Sequence, residues 1–201
     1  TSPDLAQCYT AVFEDLISPQ HSHNIPQGSQ PANGSISLDG MSITPFFSPS
    51  MGEPIEQAVI NALSGAKRVR VMAFLISDPG ILNTLAAFGN DPNADIKGVY
   101  DPNGMQDVLR STRQDSSLFW FTQDSRFVAA PSHAFNPQRE QDFMHNKVMI
   151  IDDHLVVTGS YNFSENAELN DENLLIIDSL QVAATYTAYF NGLYSTYGGN
   201  M

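Results

Sequence analysis

The chain has 201 residues, of which 42% are hydrophobic and 10% aromatic, and this composition is that of a globular protein with a sizeable core. Its 22 acidic and 9 basic residues give a net charge of −13, which argues against nucleic-acid binding through a basic surface. The lone Cys8 excludes an internal disulfide, and no run of about twenty apolar residues is present that would predict a membrane span.

The first part of the chain predicts a helix, a linker and a hairpin. Apolar residues recur at helical spacing over residues 2–16. Residues 18–35 are rich in Pro, Gly, Ser and Asn, which is typical of a linker. Asp39-Gly40 lies between alternating residues of the stretch 36–47, and this pattern predicts two strands joined by a tight turn.

Strands and helices alternate through the middle of the chain. The predicted elements are helix 53–64, strand 69–76, helix 79–89, strand 96–101, helix 105–114 and strand 117–122. This alternation predicts an α/β domain. Residues 123–143 predict a long polar loop, in which His133, Phe135 and Arg139 could contact a substrate or belong to an ordinary surface loop.

The segment 144–177 carries the densest pattern of polar residues. Two apolar runs, 148–152 and 155–160, are separated by two residues and predict a hairpin. His145 and Lys147 are two residues apart, so on a strand their side chains lie on the same face. An imidazole can attack phosphorus or protonate a leaving oxygen, and a neighbouring ammonium stabilises charge on the phosphoryl oxygens.

Further polar residues follow in the same segment. Gly159 ends the second apolar run, and the hydroxyl of Ser160 and the amide of Asn162 can supply neutral hydrogen-bond donors. Glu172 opens a third apolar run, 173–177, which predicts another strand. A carboxylate at this position could orient a histidine through its second ring nitrogen.

The order of His145, Lys147 and Asp152, followed by Gly159-Ser160 and Asn162, resembles the HxKxxxxD and GSxN signature of the phospholipase D superfamily. The sequence TGSYNFSENAELNDEN (158–173) is most similar to the pattern of the bacterial endonuclease and cardiolipin-hydrolase branch. This resemblance implies a lobe with a central mixed β-sheet flanked by helices. It also implies cleavage of a phosphodiester, in a phospholipid or a nucleic acid, without a metal and through a phosphohistidine intermediate.

The resemblance assigns expected roles to individual residues. His145 would be the nucleophile or the general acid, and Glu172 would orient a histidine. Asp152 and Gly159 would be structural positions of the motif. Three donors would hold the phosphoryl group: Lys147, Ser160 and Asn162. Lys147 would also be a catalytic residue. No cofactor or metal is predicted, because the His, Asp and Glu residues show no metal-ligand spacing.

An alternative function and the location in the cell stay open at this point. A lobe of this fold could also be a non-catalytic binding or scaffold module whose partners are proteins or anionic ligands. The composition fits either a bacterial cytoplasmic or an exported protein.

An internal repeat relates residues 2–16 to residues 179–193 at a constant offset of 177. The identical pairs are Ser2/Ser179, Ala6/Ala183, Tyr9/Tyr186, Thr10/Thr187, Ala11/Ala188, Phe13/Phe190 and Leu16/Leu193. The second copy follows the strand ENLLIID, so by symmetry the first copy should follow an equivalent strand.

The repeat predicts a two-lobed protein of which this chain forms the C-terminal half. We expect residues 1–16 to be the terminal helix of a preceding phospholipase D-like lobe, and Thr1 not to be the start of the gene product. Residues 17–42 would be a linker with the start of a hairpin, and residues 43–201 the C-terminal lobe. Because nucleophile and acid act on opposite sides of phosphorus, a second histidine is needed, from that preceding lobe or from a homodimer mate.

Overall fold

A computed structural model describes residues 2–21, 24–111, 116–133, 136–138 and 144–200. The strands in these ranges are β1 (Ile36–Leu38), β2 (Met41–Ser48), β3 (Arg68–Ala73), β4 (Asp95–Tyr100), β5 (Phe127–Ala129), β6 (Lys147–Ile151), β7 (Leu155–Gly159) and β8 (Glu172–Asp178). The helices are α1 (Pro3–Leu16), α2 (Gly52–Leu63), α3 (Pro79–Gly89), α4 (Gln106–Ser111), α5 (Glu165–Leu169) and α6 (Leu180–Thr196), and a 3₁₀ segment spans Ser116–Gln123.

The described strands form one eight-stranded sheet in the order β1-β2-β8-β7-β6-β3-β4-β5. The pairs β3–β4 and β4–β5 are parallel, and the other neighbours are antiparallel. Helices cover both faces, so the predicted α/β fold with a central mixed sheet flanked by helices is confirmed. No helix among the described residues is long and apolar enough to cross a membrane.

The two faces of the sheet bury separate apolar cores. One face packs on α2, α3, α5 and the 3₁₀ segment through a core that includes Val59, Val71, Leu82, Phe121, Met149 and Val157. The opposite face packs on α6 through a core that includes Met72, Val148, Ile150, Val156, Ala183 and Phe190. Successive residues of a strand face opposite sides of the sheet, and Phe46 packs against the first core. Its neighbour Phe47 therefore lies on the opposite face, where it packs with Cys8 of α1. Helix α1 thus covers the same face as α6, at the β1–β2 end of the sheet.

Both predicted hairpins form, and their turns explain why. Asp39 and Gly40 join β1 to β2 with φ angles of 49° and 80°. Asp152 and Asp153 follow β6 with φ angles of 49° and 57°. Two successive left-handed residues match the right-handed twist of antiparallel strands, and Asp and Gly tolerate that conformation better than most residues.

The predicted strand 117–122 is wrong, because these residues form the 3₁₀ segment. Phe119 and Phe121 insert into the core, and Trp120 donates from Nε1 to the carbonyl of Leu82 at 3.4 Å. The position beside β4 is taken by β5, which lies within the predicted loop 123–143. A short run of apolar and aromatic residues is compatible with either a strand or a buried helical turn. Here the packing of the aromatic rings in the core favours the helical turn.

Other boundaries differ less from the prediction. The strand predicted over 69–76 ends at Ala73, and helix α4 is described only to Ser111. Phe135 and Arg139 of the predicted loop lie outside the described residues. β2 begins at Met41, so the predicted division between residues 42 and 43 falls within a strand.

Candidate active site

The polar residues of the 144–177 segment meet at one edge of the sheet. β7 is antiparallel to both β6 and β8, so the end of β7 lies beside the starts of its two neighbours. His145 and Lys147 lie at the start of β6, Ser160 follows β7, and Glu172 begins β8. The antiparallel order therefore gathers residues that are up to 27 positions apart in the chain.

The side chains of His145 and Lys147 lie side by side, as their spacing predicts. Lys147 Nζ is 3.0 Å from Nε2 of His145 and donates to the His145 carbonyl at 3.1 Å. Because an ammonium can only donate, Nε2 accepts, and the proton of a neutral imidazole is on Nδ1. His145 is exposed, whereas Lys147 is only 6% exposed. The imidazole therefore faces the solvent, and the ammonium beside it is buried.

Phe74 forms the apolar support of this pair. Its ring centroid is 4.7 Å from that of His145, and Lys147 Nζ lies over its face at 5.2 Å. Its backbone N–H donates to the Asn146 carbonyl at 2.7 Å, which joins the end of β3 to the start of β6. The ring shields the ammonium from water and attracts its charge.

Burial lowers the pKa of both groups. Burial lowers the pKa of the Lys147 ammonium, and the Glu172 carboxylate opposes this effect. Burial, followed by the charge of Lys147, lowers the pKa of His145, and Asp101 and Glu172 oppose this. The imidazole is therefore mainly neutral near pH 7, and its Nε2 lone pair accepts from the Lys147 ammonium.

Ser160 presents a hydroxyl proton at the same edge. Its Oγ accepts from the backbone N–H of Asn173 at 3.0 Å and from Nδ2 of Asn173 at 3.3 Å. Tyr9 of α1 donates from its hydroxyl to Oδ1 of the same Asn173 at 3.2 Å. With its lone pairs accepting, the exposed Ser160 hydroxyl has its own proton to donate.

Gly159 and Asn162 flank this hydroxyl. A Cβ at Gly159 would overlap the carbonyl oxygen of Asn173, so only glycine permits the close approach of β7 to β8. Oδ1 of Asn162 is buried and has no hydrogen-bond partner. Among the described residues, the Glu172 side chain forms no hydrogen bond or ion pair, and it acts on His145 and Lys147 through its charge.

Asp152, the last residue of the signature, is directed away from this group. Its Oδ1 accepts from the backbone N–H groups of Lys67 and Arg68, both at 2.8 Å. Its own N–H donates to the Arg68 carbonyl at 2.9 Å. The carboxylate therefore ties the β6–β7 turn to the start of β3.

Asp101 belongs to the electrostatic surroundings of His145, but the sequence pattern placed it only at the end of the predicted strand 96–101. It is fully buried at the end of β4, and its carboxylate accepts from the backbone of Asn103 at 2.8 Å and from the hydroxyl of Ser132. Its charge raises the pKa of His145. A buried charged residue directly after a strand was the signal that could have identified it.

Among the described residues, one group of acidic side chains could hold a metal ion. It comprises Glu56, Asp78 and Glu168, none of which belongs to the signature.

Residues 59–194 match the sequence profile of a family described as "Cardiolipin synthase, PLD-like domain". A mitochondrial cardiolipin hydrolase of Xenopus laevis is 31% identical over 85 residues, which cover 37% of this chain and 40% of that protein. A phospholipase D of Rickettsia conorii is 49% identical over 43 residues, which cover 21% of this chain and 22% of that protein. The chain thus matches less than half the length of these curated relatives.

Solved structures share the fold. NucT from Helicobacter pylori superposes with a TM-score of 0.60 at 19% identity, over 80% of this chain and 99% of that chain. Nuc from Salmonella typhimurium, a phospholipase D family member, gives a TM-score of 0.58 at 23% identity, over 77% and 95%. A phosphatidylserine synthase of Haemophilus influenzae gives 0.61 at 13% identity, over 96% of this chain and 52% of that chain.

Proposed function

The chain belongs to the phospholipase D superfamily, within its family of PLD-like domains, and we propose that it is a metal-independent phosphodiesterase that forms a phosphohistidine intermediate. The observation that carries this proposal is the 3.0 Å contact between Nε2 of His145 and Nζ of Lys147 at an exposed edge of the sheet. A neutral imidazole beside a buried cation is suited to attack phosphorus once the ammonium turns from Nε2 to the phosphoryl oxygens and holds them.

In the proposed reaction a histidine Nε2 forms a bond to phosphorus as the bond to the leaving oxygen breaks. A second histidine on the opposite side of phosphorus donates its proton to that oxygen. Water then attacks the phosphohistidine, gives a proton to the second imidazole, and the phosphorus–nitrogen bond breaks. His145 takes one of these two roles, and its low pKa is compatible with the nucleophile while the acid role stays open.

Three donors would bind the phosphoryl group: Lys147, Ser160 and Asn162. The ammonium neutralises developing charge, and the exposed Ser160 hydroxyl has a proton to donate because Asn173 fills its acceptor positions. Glu172 would favour the protonated histidine during the reaction, since its charge raises the pKa of His145.

The second histidine requires a second lobe, and helix α1 supports its presence. Ser2 and Ser179 cap α1 and α6 in the same way, accepting from Leu5 N–H at 3.2 Å and from Val182 N–H at 3.3 Å. The repeat therefore extends to the capping geometry of the two helices.

The two helices bury different faces. In α6, Phe190 and Tyr194 are at most 2% exposed against the sheet. At the same offset of 177, Phe13 of α1 and its C-cap residue Ile17 are 59% and 65% exposed. α1 instead meets β2 through another face, around Cys8. We propose that the exposed face of α1 packs on the sheet of a second phospholipase D-like lobe, in the same chain or in a second copy.

The substrate class is a phospholipid or a nucleic acid. Several of the few basic side chains are already paired: Arg70 with Asp95 at 2.5 Å, and Arg126 with Asp124 at 2.6 Å. Together with the net charge of −13, this pairing leaves little positive surface for a long polyanion. The alternative function, a binding or scaffold module without turnover, shares the fold but does not require a reactive imidazole.

The test compares two histidine variants in the protein with both lobes present. His145→Asn should reduce turnover of bis(4-nitrophenyl) phosphate by about a hundred- to ten-thousand-fold if only an acid–base group is lost. Loss of a nucleophile should reduce it further. His154→Asn is the matched control, because His154 lies in the β6–β7 turn and contacts Asp178 at 3.1 Å. The same pair assayed on single-stranded DNA, RNA, phosphatidylcholine and cardiolipin would identify the substrate class.

Retention of more than about a tenth of the activity by His145→Asn would contradict the assigned role. A wild-type protein that turns over none of these substrates, but binds them, would favour the non-catalytic alternative.

A further inference from the structure

Three carboxylates from three helical segments meet on the face of the sheet opposite α6. Glu56 of α2, Asp78 directly before α3 and Glu168 of α5 each place one oxygen within 4.8 Å of the others. Asp78 is 1% exposed, and the two glutamates are partly buried. Among the described residues, no Lys, Arg or His forms an ion pair with any of them. Charges of the same sign at this distance repel strongly unless a counter-charge lies between them.

Two buried oxygens, one in this group and one beside it, have no hydrogen-bond partner. Oδ1 of Asp78 accepts from the backbone N–H of Ile81 at 2.8 Å, but its Oδ2 is buried and unpaired. Tyr161 is 1% exposed, and its hydroxyl is also buried without a partner. Burial raises the pKa of Tyr161 and the charges of Glu168, Asp78 and Glu56 raise it further, so this hydroxyl lies near the three carboxylates. Buried polar atoms of this kind are ordinarily satisfied by protein, water or an ion.

Gly80 makes room for this arrangement. A Cβ at Gly80 would overlap Oε1 of Glu56, so the absence of a side chain allows the Glu56 carboxylate to lie against the first turn of α3.

We propose that Glu56, Asp78 and Glu168 bind a hard divalent cation such as Ca²⁺ or Mg²⁺, which links α2, α3 and α5. Carboxylate oxygens are the ligands these ions prefer, and two oxygens on opposite sides of a Ca²⁺ ion lie about 4.6–5.2 Å apart. The cation acts on structure and takes no part in the chemistry at His145. Since α5 lies in the connection from Ser160 to Glu172, the ion holds that connection in place.

Thermal unfolding of the whole chain tests this site. The melting temperature is measured in excess EDTA and then in about 10 mM CaCl₂ or MgCl₂ at matched ionic strength. We expect a rise of about 5–10 °C when the cation is at about a hundred times its Kd. Glu56→Gln and Asp78→Asn should lose most of this rise, and Asn at 78 keeps an oxygen for the Ile81 N–H. In EDTA both variants should melt no lower than the wild type, because one repelling charge is removed.

Glu53→Gln is the matched control, because Glu53 lies exposed on the same helix α2, loses the same charge and is not one of the three ligands. Its charge acts on Glu56 and Glu168 from outside the group, so this variant should retain most of the rise. Titration calorimetry with the metal alone should give one site per chain in the wild type. Failure of both cations to raise the wild-type melting temperature would overturn the proposal, as would an equal rise in Glu56→Gln and Glu53→Gln. The carboxylates would then share protons instead of a metal. These readouts do not depend on catalytic activity.

Discussion

The imidazole of His145 has a pKa below its ordinary value near 6.5, because it is partly buried and lies against the Lys147 ammonium. We expect an NMR titration of this ring to give a midpoint below 6.5, and Lys147→Gln to raise it by removing one opposing charge. A midpoint at or above the ordinary value in the wild type, or no change in the variant, would contradict this electrostatic picture.

The direction of the pH dependence also separates the two roles of His145. A nucleophile must be neutral, so activity would rise as pH increases through this lowered pKa. A general acid must be protonated, so activity would fall over the same interval. The pH profile of kcat/KM, with the midpoint assigned by the NMR titration, distinguishes them.

Lys147 is the positive group that a phosphoryl mimic would meet first. Vanadate or tungstate should inhibit the wild-type activity, because their oxyanions resemble five-coordinate phosphorus. Lys147→Ala should lose both activity and oxyanion binding, which calorimetry measures directly. Lys97→Ala serves as the control, since its Nζ donates to the Asn200 carbonyl at 2.9 Å. Unchanged oxyanion binding by Lys147→Ala would remove Lys147 from the phosphoryl site.

At the scale of elements, the repeated helices α1 and α6 differ in what they cover. Phe190 of α6 is fully buried, stacks on Tyr194 at 5.3 Å between ring centroids, and lies under the guanidinium of Arg70 at 5.8 Å. Phe13, its equivalent in α1, has most of its ring exposed. The same residue type at equivalent positions therefore has different energetic roles.

Alanine substitutions at these two positions should have opposite signatures. Phe190→Ala should lower the free energy of unfolding by about 3–5 kcal/mol, because it opens a cavity in the core. Phe13→Ala should change it by less than about 0.5 kcal/mol but weaken association with the second lobe. Chemical denaturation and analytical ultracentrifugation measure the two effects. If Phe13→Ala leaves both association and activity unchanged, the exposed face of α1 does not bind a second lobe.

At the scale of the whole molecule, the charge of −13 sets an expectation for polyanions. Non-specific nucleic-acid binders have Kd values of about 10⁻⁴–10⁻⁶ M at physiological salt, mainly through phosphate neutralisation. We expect fluorescence anisotropy with labelled single-stranded DNA to show no binding in that range by this chain. Micromolar affinity with a steep salt dependence would contradict the electrostatic argument and favour a nucleic-acid substrate.

Elements with local sequence signals could be predicted from the amino-acid sequence alone. Asp39-Gly40 indicated the first hairpin, because its conformation suits a tight turn. The helix predicted over 79–89 is α3, which has Pro at its first position and the Asp78 side chain as its cap. The strand period of two predicted that His145 and Lys147 would be neighbours, and their nitrogens are 3.0 Å apart.

The distant residues near that pair could not be predicted, because packing between remote segments brings them there. Tyr9 reaches Asn173 across 164 positions, and Asp101 acts on His145 from the end of another strand. The aromatic run that became a 3₁₀ segment, and the group of three carboxylates, likewise depend on helices packed against one another. Periodicity records which face of an element is apolar, but the partner of that face is set by packing between segments far apart in the chain.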